Sequence, residues 1–168
     1  MIIIKKYNKS CEKTWDQFVK KSNNGTLFQT RKFLNYHIHR EFNDFSLLIY
    51  HNKTLIALLP GAVVIKHNLR FFHSHPGTSY GGFILKNRLN FQLINEIIRF
   101  TDQYLIKHKF KKIFLINSPQ VYWKEPHDGL DYLLQWNAYK TKEIYISHAT
   151  NIPRDVNVET LLSKRKRR

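Results

Sequence analysis

Acidic residues are scarce in this chain, which carries 12 of them against 28 lysines and arginines and so a formal charge of +16 over 168 residues. A field of that sign attracts polyanions, whether phosphorylated substrates, nucleotide diphosphates, transfer RNA or anionic lipid headgroups, and net charge does not choose among them. Five of the cations form the terminal run Lys164-Arg165-Lys166-Arg167-Arg168, so most of the excess is spread through the body of the chain. Cysteine is scarcer still. Cys11 stands alone, which excludes an intramolecular disulfide and points to an intracellular protein. Long apolar runs are also missing. The longest, Leu55 to Ile65, is broken by Pro60-Gly61 and falls short of a bilayer span. The opening Met1-Ile2-Ile3-Ile4-Lys5-Lys6 puts its apolar residues before its charges, unlike a signal peptide. A soluble cytoplasmic protein is expected. No G-x-G-x-x-G turn opens a βαβ unit, which argues against a dinucleotide site.

What the chain does contain is a loop rich in glycine and hydroxyl groups, Phe72-His73-Ser74-His75-Pro76-Gly77-Thr78-Ser79-Tyr80-Gly81-Gly82-Phe83, between two apolar runs. Loops held at strand ends are where binding residues concentrate. The plainer reading is a wide connection with His75-Pro76-Gly77-Thr78 as a type II turn, proline presetting φ and glycine supplying φ > 0. Either way at least one of Gly77, Gly81 and Gly82 is expected at positive φ.

Around that loop the periodicity predicts an α/β (mixed α+β) domain, with helices laid on a mostly antiparallel, then mixed, sheet. Ile2 to Tyr7 reads as a strand. Cys11 to Ser22 reads as an amphipathic helix capped by Ser10 and stopped at Asn23-Asn24-Gly25. Thr26 to Gln29 is expected to be extended, and Thr30 to cap a second helix in which Phe33, Leu34, His37 and Ile38 share a face. The runs Phe45 to Tyr50, Thr54 to Leu59, Ala62 to Ile65 and Leu69 to Phe72 predict one antiparallel meander. After a short strand, Phe83 to Leu85, Asn90 caps a helix with a stripe of Phe91, Ile94, Ile97, Ile98, Thr101, Tyr104 and Leu105. Lys107, Lys109, Lys111 and Lys112 suit its C-terminal dipole. Ile113 to Ile116 then predicts a buried strand. Asp128 and Asp131 suggest a capping-box-like helix start. Glu143 to Ser147 predicts a last strand, and Val158 to Arg168 a helix.

Several pieces taken in order resemble the N-terminal half of FemAB-like proteins of the GNAT acyltransferase superfamily. They are Trp15-x-x-Phe18-Val19, Asn24-Gly25-Thr26-Leu27-Phe28-Gln29, Arg31-x-Phe33-Leu34-x-Tyr36-His37, Phe42-x-Asp44-x-Ser46-Leu47 and Leu58-Leu59-Pro60. The order continues with Ser74 to Gly82, Tyr122-x-x-x-Pro126-x-Asp128 and Leu130-Asp131-Tyr132-x-Leu134. The resemblance implies a GNAT-like domain over residues 1–155, with residues 156–168 starting a basic helix toward a second such domain. It implies transfer of an acyl or aminoacyl group to an amine of a peptidoglycan precursor or related sugar-peptide acceptor. The acyl donor, aminoacyl-tRNA or acyl-CoA, would bind the missing half, so no cofactor is expected in this chain and the chain alone is expected to be inactive. Phosphate-bearing acceptors, tRNA and a partner chain are the implied partners.

By the same resemblance Gln29, His37, Ser74, His75, Tyr80, Gly81 and Tyr122 would line the acceptor groove; no catalytic residue is identified. The position of His37 is a lysine in several members, where it helps hold a diphosphate, and a neutral imidazole is a weaker anion partner. His37 also reads as a histidine on an apolar helical face. The acetyl-CoA loop [RQ]-x-x-G-x-[GA] has no match, since residues 76–82 precede a strand and lack its leading residue.

Other constellations have plainer readings beside them. His73 and His75 on an extended segment would point the same way, as a metal pair or as imidazoles bonded to loop backbone, and no metal is expected. Ser74 beside His75 is a poor nucleophile arrangement without a strand-to-helix elbow. Trp15 and Phe18 read as core. Tyr122 and Trp123 read either as a stacking platform or as packing against the sheet end. The rival to an enzyme is a noncatalytic basic module that binds RNA or a phosphorylated ligand.

Overall fold

The computed structural model describes residues 1–36, 42–144 and 146. The predicted His37 and the predicted helix from Val158 lie outside them. The strands are β1 (Ile2–Lys6), β2 (Asn43–Asp44), β3 (Leu47–His51), β4 (Thr54–Leu59), β5 (Ala62–Lys66), β6 (Leu69–His73), β7 (Ile84–Leu85) and β8 (Phe110–Phe114). The helices are α1 (Glu12–Lys21), α2 (Arg31–Leu34), α3 (Phe91–Lys107) and α4 (Gly129–Trp136). The predicted mixed α+β domain is what forms.

The expected single meander divides at Pro60-Gly61. One sheet runs β1-β3-β4-β7, antiparallel throughout, and the other β2-β5-β6-β8, in which β6 and β8 are parallel. Both hairpin turns are two residues long, Asn52-Lys53 and His67-Asn68, all four residues at positive φ as type I′ turns require. Two helical layers sandwich the first sheet. Trp15 and Val19 of α1 pack with Leu48, Leu58 and Ile84 on one face. On the other face Leu47, Ile49, Ala57, Leu59 and Leu85 meet Ile94, Ile97, Ile98 and Leu105 of α3 and three leucines of α4. Alternation along β3 and β4 sends successive side chains to opposite layers. Each large apolar side chain so buried contributes about 1.5–3 kcal/mol.

Several local expectations are corrected. Asn8, not Ser10, caps the first helical segment: its Oδ1 accepts from the Ser10 amide and hydroxyl at a 3₁₀ turn, Lys9–Cys11, ahead of α1. Thr26 to Gln29 is not extended, because Gln29 Oε1 accepts from Thr26 N at 2.8 Å and closes a capping box over a 3₁₀ turn, Leu27–Gln29. Thr30 does cap α2, accepting from Phe33 N. The strand expected at Ile113 starts instead at Phe110, with Lys111 and Lys112 in it, since Phe110 is buried against Phe45 and Phe72. Asp128 makes no side-chain cap, because its carboxylate accepts from Gln120. Of the last predicted strand, Glu143, Ile144 and Ile146 are exposed and in no strand; positions 145 and 147 lie outside the described residues.

Candidate functional site

The glycine loop is built by three interlocking sets of bonds. Ser74 leaves the end of β6 with its N–H on Phe114 O at 2.8 Å, and its buried Oγ accepts from Ile116 N at 2.8 Å. Ile116 O in turn accepts from Gly81 N at 2.8 Å. The loop is thus sewn on both sides to the chain leaving β8. Within it, Gly77 (φ 95°) follows Pro76, and Thr78 N reaches His75 O at 3.4 Å, the expected type II turn. Gly82 also sits in the left-handed region, at φ 65°. Gly81 has no room for a side chain: a Cβ would lie 2.5 Å from Ser74 O.

Gln29 is fully buried, and its Nε2 donates to Gly81 O at 2.5 Å while its backbone carbonyl accepts from Trp15 Nε1 at 2.8 Å. It fastens the turn before α2 to the loop. His75, at φ 28°, has left the strand, so the premise of two histidines on one extended segment fails. It is buried edge-on to Phe42, with ring centroids 5.0 Å apart. His73 stays on β6, stacked on Phe114. Burial first, then the charges of Lys66 and Lys142, hold its pKa below the usual range, so the ring is neutral at pH 7 and a poor anion partner. Among the described residues no group of three His, Cys, Asp or Glu side chains could hold a metal.

Tyr80 and Tyr122 do come together. Their rings lie 5.9 Å apart, Tyr80 also meets Phe28 edge-on at 5.4 Å, and Phe28 continues to Phe33 at 5.0 Å. Tyr122 is 47% exposed and Tyr80 half-buried. The two alternatives for the aromatic pair at positions 122 and 123 are therefore divided between them. Trp123 is core, its Nε1 on Ser118 O at 3.0 Å, and Tyr122 is surface. The arrangement offers flat aromatic faces with phenol hydroxyls, suited to stacking and orienting a ligand.

Two structural clamps escaped the sequence reading. Asn24, taken there as part of a stop signal, is buried with Nδ2 on Phe83 O and Oδ1 on Leu85 N, both at 2.7 Å. Asn23 does the same for Glu125, donating to its carbonyl at 3.0 Å and accepting from its amide at 2.9 Å. Lys124 then places its Nζ on the carbonyls of Lys20 and Ser22 at the end of α1, where a cation suits the dipole. The second clamp is Arg31. Its guanidinium lies between Tyr7 and Trp15, at 3.4 and 4.0 Å from their ring centroids, and pairs with Asp44 at 2.6 Å. Burial draws its pKa down and the Asp44 carboxylate opposes this. A buried arginine needs such a partner, and the sequence signal was only an Arg and an Asp flanking aromatic positions.

The N-terminus of α3 is closed by its own sequence. Asn90 Oδ1 accepts from Leu93 N at 2.8 Å, occupying one of the donors that a pyrophosphate at a helix start would use.

No protein-family model and no curated protein sequence matches the chain. Solved structures do. A GNAT family acetyltransferase from Staphylococcus aureus is similar at 12% identity and TM-score 0.52, over 89% of this chain and 98% of that one. A ribosomal-protein-alanine N-acetyltransferase from Brucella melitensis is similar at 12% identity and TM-score 0.54, over 90% and 100%. An aminoglycoside 6′-N-acetyltransferase from Acinetobacter haemolyticus is similar at 11% identity and TM-score 0.51, over 90% and 99%. The chain thus spans nearly the whole length of each of these structures, and at such identities the likeness is one of architecture: this chain has the GNAT acetyltransferase fold.

Proposed function

We propose that this protein is a GNAT-fold acyl or aminoacyl transferase of the FemAB-like kind, and that it supplies the surface that binds a phosphate-bearing sugar or peptidoglycan-precursor acceptor. The acyl-transfer part rests on the fold and favours an enzyme over a noncatalytic binding module. The acceptor-side part rests on one observation, the paired Tyr80 and Tyr122 beside the glycine loop. Their faces stack on a sugar or base while the +16 field draws in the phosphates. Gln29, Ser74, His75 and Gly81 hold the loop in place beneath them, and His37 stands as the diphosphate position that the resemblance implies. The donor, acyl-CoA or aminoacyl-tRNA, would be bound by a second GNAT-like domain, as the resemblance implies. Catalysis would then come from bringing amine and activated carbonyl together and stabilising the oxyanion.

The test is titration of the chain with a nucleotide-diphosphate sugar and with a soluble peptidoglycan precursor. Tyr80→Ala and Tyr122→Ala are each expected to weaken binding by about three- to tenfold, and His37→Lys to strengthen it. Binding untouched by both tyrosine substitutions would refute the acceptor site. Multiple-turnover acyl transfer by the isolated chain would refute the assignment of the donor to another domain.

A further inference from the structure

The second sheet has one covered face and one open face. Val63, Phe72 and Ile113 point into the core shared with α3, and the ladder sends their neighbours to the opposite side. There Val64 lies across from Phe71 and Lys66 from Leu69, with Lys112 beside Phe71 and Phe114 beside His73. Phe114 packs on Phe71 at 6.3 Å and stacks on His73 at 6.1 Å. Val64, Phe71 and Phe114 are half-exposed, Leu69 is 44% exposed, and none of the four joins either core cluster.

Cations frame this patch. Lys66 and Lys112 are exposed on the face itself and form no ion pair among the described residues. Lys142 is near as well, since its charge and that of Lys66 both act on the His73 ring, though Glu143 offsets it at 3.0 Å. β5, β6 and β8 contain no acidic residue. Their one guanidinium, Arg70, is turned to the covered side, over the ring of Phe110 at 4.8 Å.

We propose that this open face seats on an anionic lipid surface, with Leu69, Phe71 and Phe114 entering the boundary between headgroups and acyl chains and Lys66 and Lys112 meeting the lipid phosphates. An exposed apolar patch with a charged rim marks a membrane or protein contact, and apolar side chains flanked by lysine are what an anionic interface holds. A second copy of the chain, also +16, is repelled. A nucleic acid would satisfy the lysines, but the face offers aliphatic Val64 and Leu69 beside its rings and no amide or guanidinium to bond base edges. Acyl chains accept aliphatic and aromatic groups alike. β5 and β6 are paired on both sides, so lipid approaching them strands no backbone group of theirs. The contact is peripheral, since no described helix is long and apolar enough to cross a membrane.

The experiment is flotation of the full chain with vesicles of phosphatidylcholine alone and with about 30% phosphatidylserine. Binding is expected to the anionic vesicles only, and to weaken as salt rises. Lys66→Glu with Lys112→Glu is expected to weaken it by at least about tenfold, and Leu69→Ser with Phe71→Ser to weaken it by a similar factor. All four side chains lie outside the core clusters, so the variants keep their fold, which circular dichroism checks. Arg99→Glu with Lys107→Glu removes the same charge from exposed positions on α3, on the other side of the sheets, and is expected to change binding by less than about threefold. No binding to anionic vesicles overturns the proposal. So does equal loss in the α3 pair, which would make the attraction one of net charge, or binding indifferent to Leu69→Ser with Phe71→Ser. Capture of a single-stranded RNA homopolymer through Lys66 and Lys112, without vesicle binding, overturns it in favour of a nucleic acid.

Discussion

The side-chain amide of Gln29 donates to the carbonyl of Gly81 at 2.5 Å, joining two segments 52 residues apart with a bond buried from solvent. Replacement by alanine would strand the Gly81 carbonyl and the Thr26 amide. Gln29→Ala is expected to cost about 1–3 kcal/mol in urea unfolding. A side chain whose only role were to touch the acceptor would leave stability unchanged, and that result would remove Gln29 from the scaffold.

Gly82 combines a left-handed backbone with a close approach to Asn117. At φ 65° a Cβ is strained, and it would lie 2.2 Å from Asn117 Oδ1. Gly82→Ala is expected to lower stability by more than about 1 kcal/mol, read from the thermal midpoint. Gly77→Ala loses only the turn conformation and should cost less. The reverse order would contradict the packing described around Asn117.

Arg31 and Asp44 form a pair whose halves are unequal. The arginine is 1% exposed and the aspartate 34%, so removing the carboxylate leaves a charge deep between two rings. Asp44→Ala should therefore cost about 3 kcal/mol. Arg31→Lys keeps the charge and loses the flat contact with Tyr7 and Trp15. It should also destabilise, and Trp15 fluorescence should report the change. An unaltered midpoint in Asp44→Ala would count against the pair.

Asp102 gives the chain a pH dependence of definite sign. Burial raises its carboxyl pKa, and the hydrogen bond from Tyr139 opposes this only in part. Because the folded pKa is the higher, the unfolded chain loses this proton first. The contribution is fully present below the ordinary carboxylate range and is lost as pH rises through the raised folded value. Asp102→Asn can still accept from Tyr139 and has no proton to lose. Its stability relative to wild type should climb in urea titrations as pH rises from below the ordinary carboxylate range through the raised folded value. A falling difference would mean that the Tyr139 bond outweighs burial.

Elements with their own period were legible: the α3 stripe and its Asn90 cap, the β4 run from Thr54 to Leu59, and the type II turn at Pro76-Gly77. What was not legible depends on partners distant in sequence. Nothing in Pro60-Gly61 announces that the chain changes sheets there, and Phe110 begins β8 only because Phe45 and Phe72 form a pocket for it. The site divides the same way. Tyr80 and Tyr122 were found as loop aromatics, but Asn23 and Asn24 look like any helix stop until their partners, up to 102 residues away, are in place.

Those asparagine bonds also bear on when the face appears. Asn24 reaches across 59 and 61 residues to Phe83 and Leu85, and Ser118 returns across 94 to its carbonyl. Closing loops of that length costs chain entropy before any bond repays it, whereas the β3–β4 and β5–β6 hairpins close over two residues. The hairpins and α3 are therefore expected to organise early and the contacts around Asn24 late, an order that folding and unfolding rates of variants would check. Substitutions at Asn24 should chiefly hasten unfolding and leave the folding rate almost untouched.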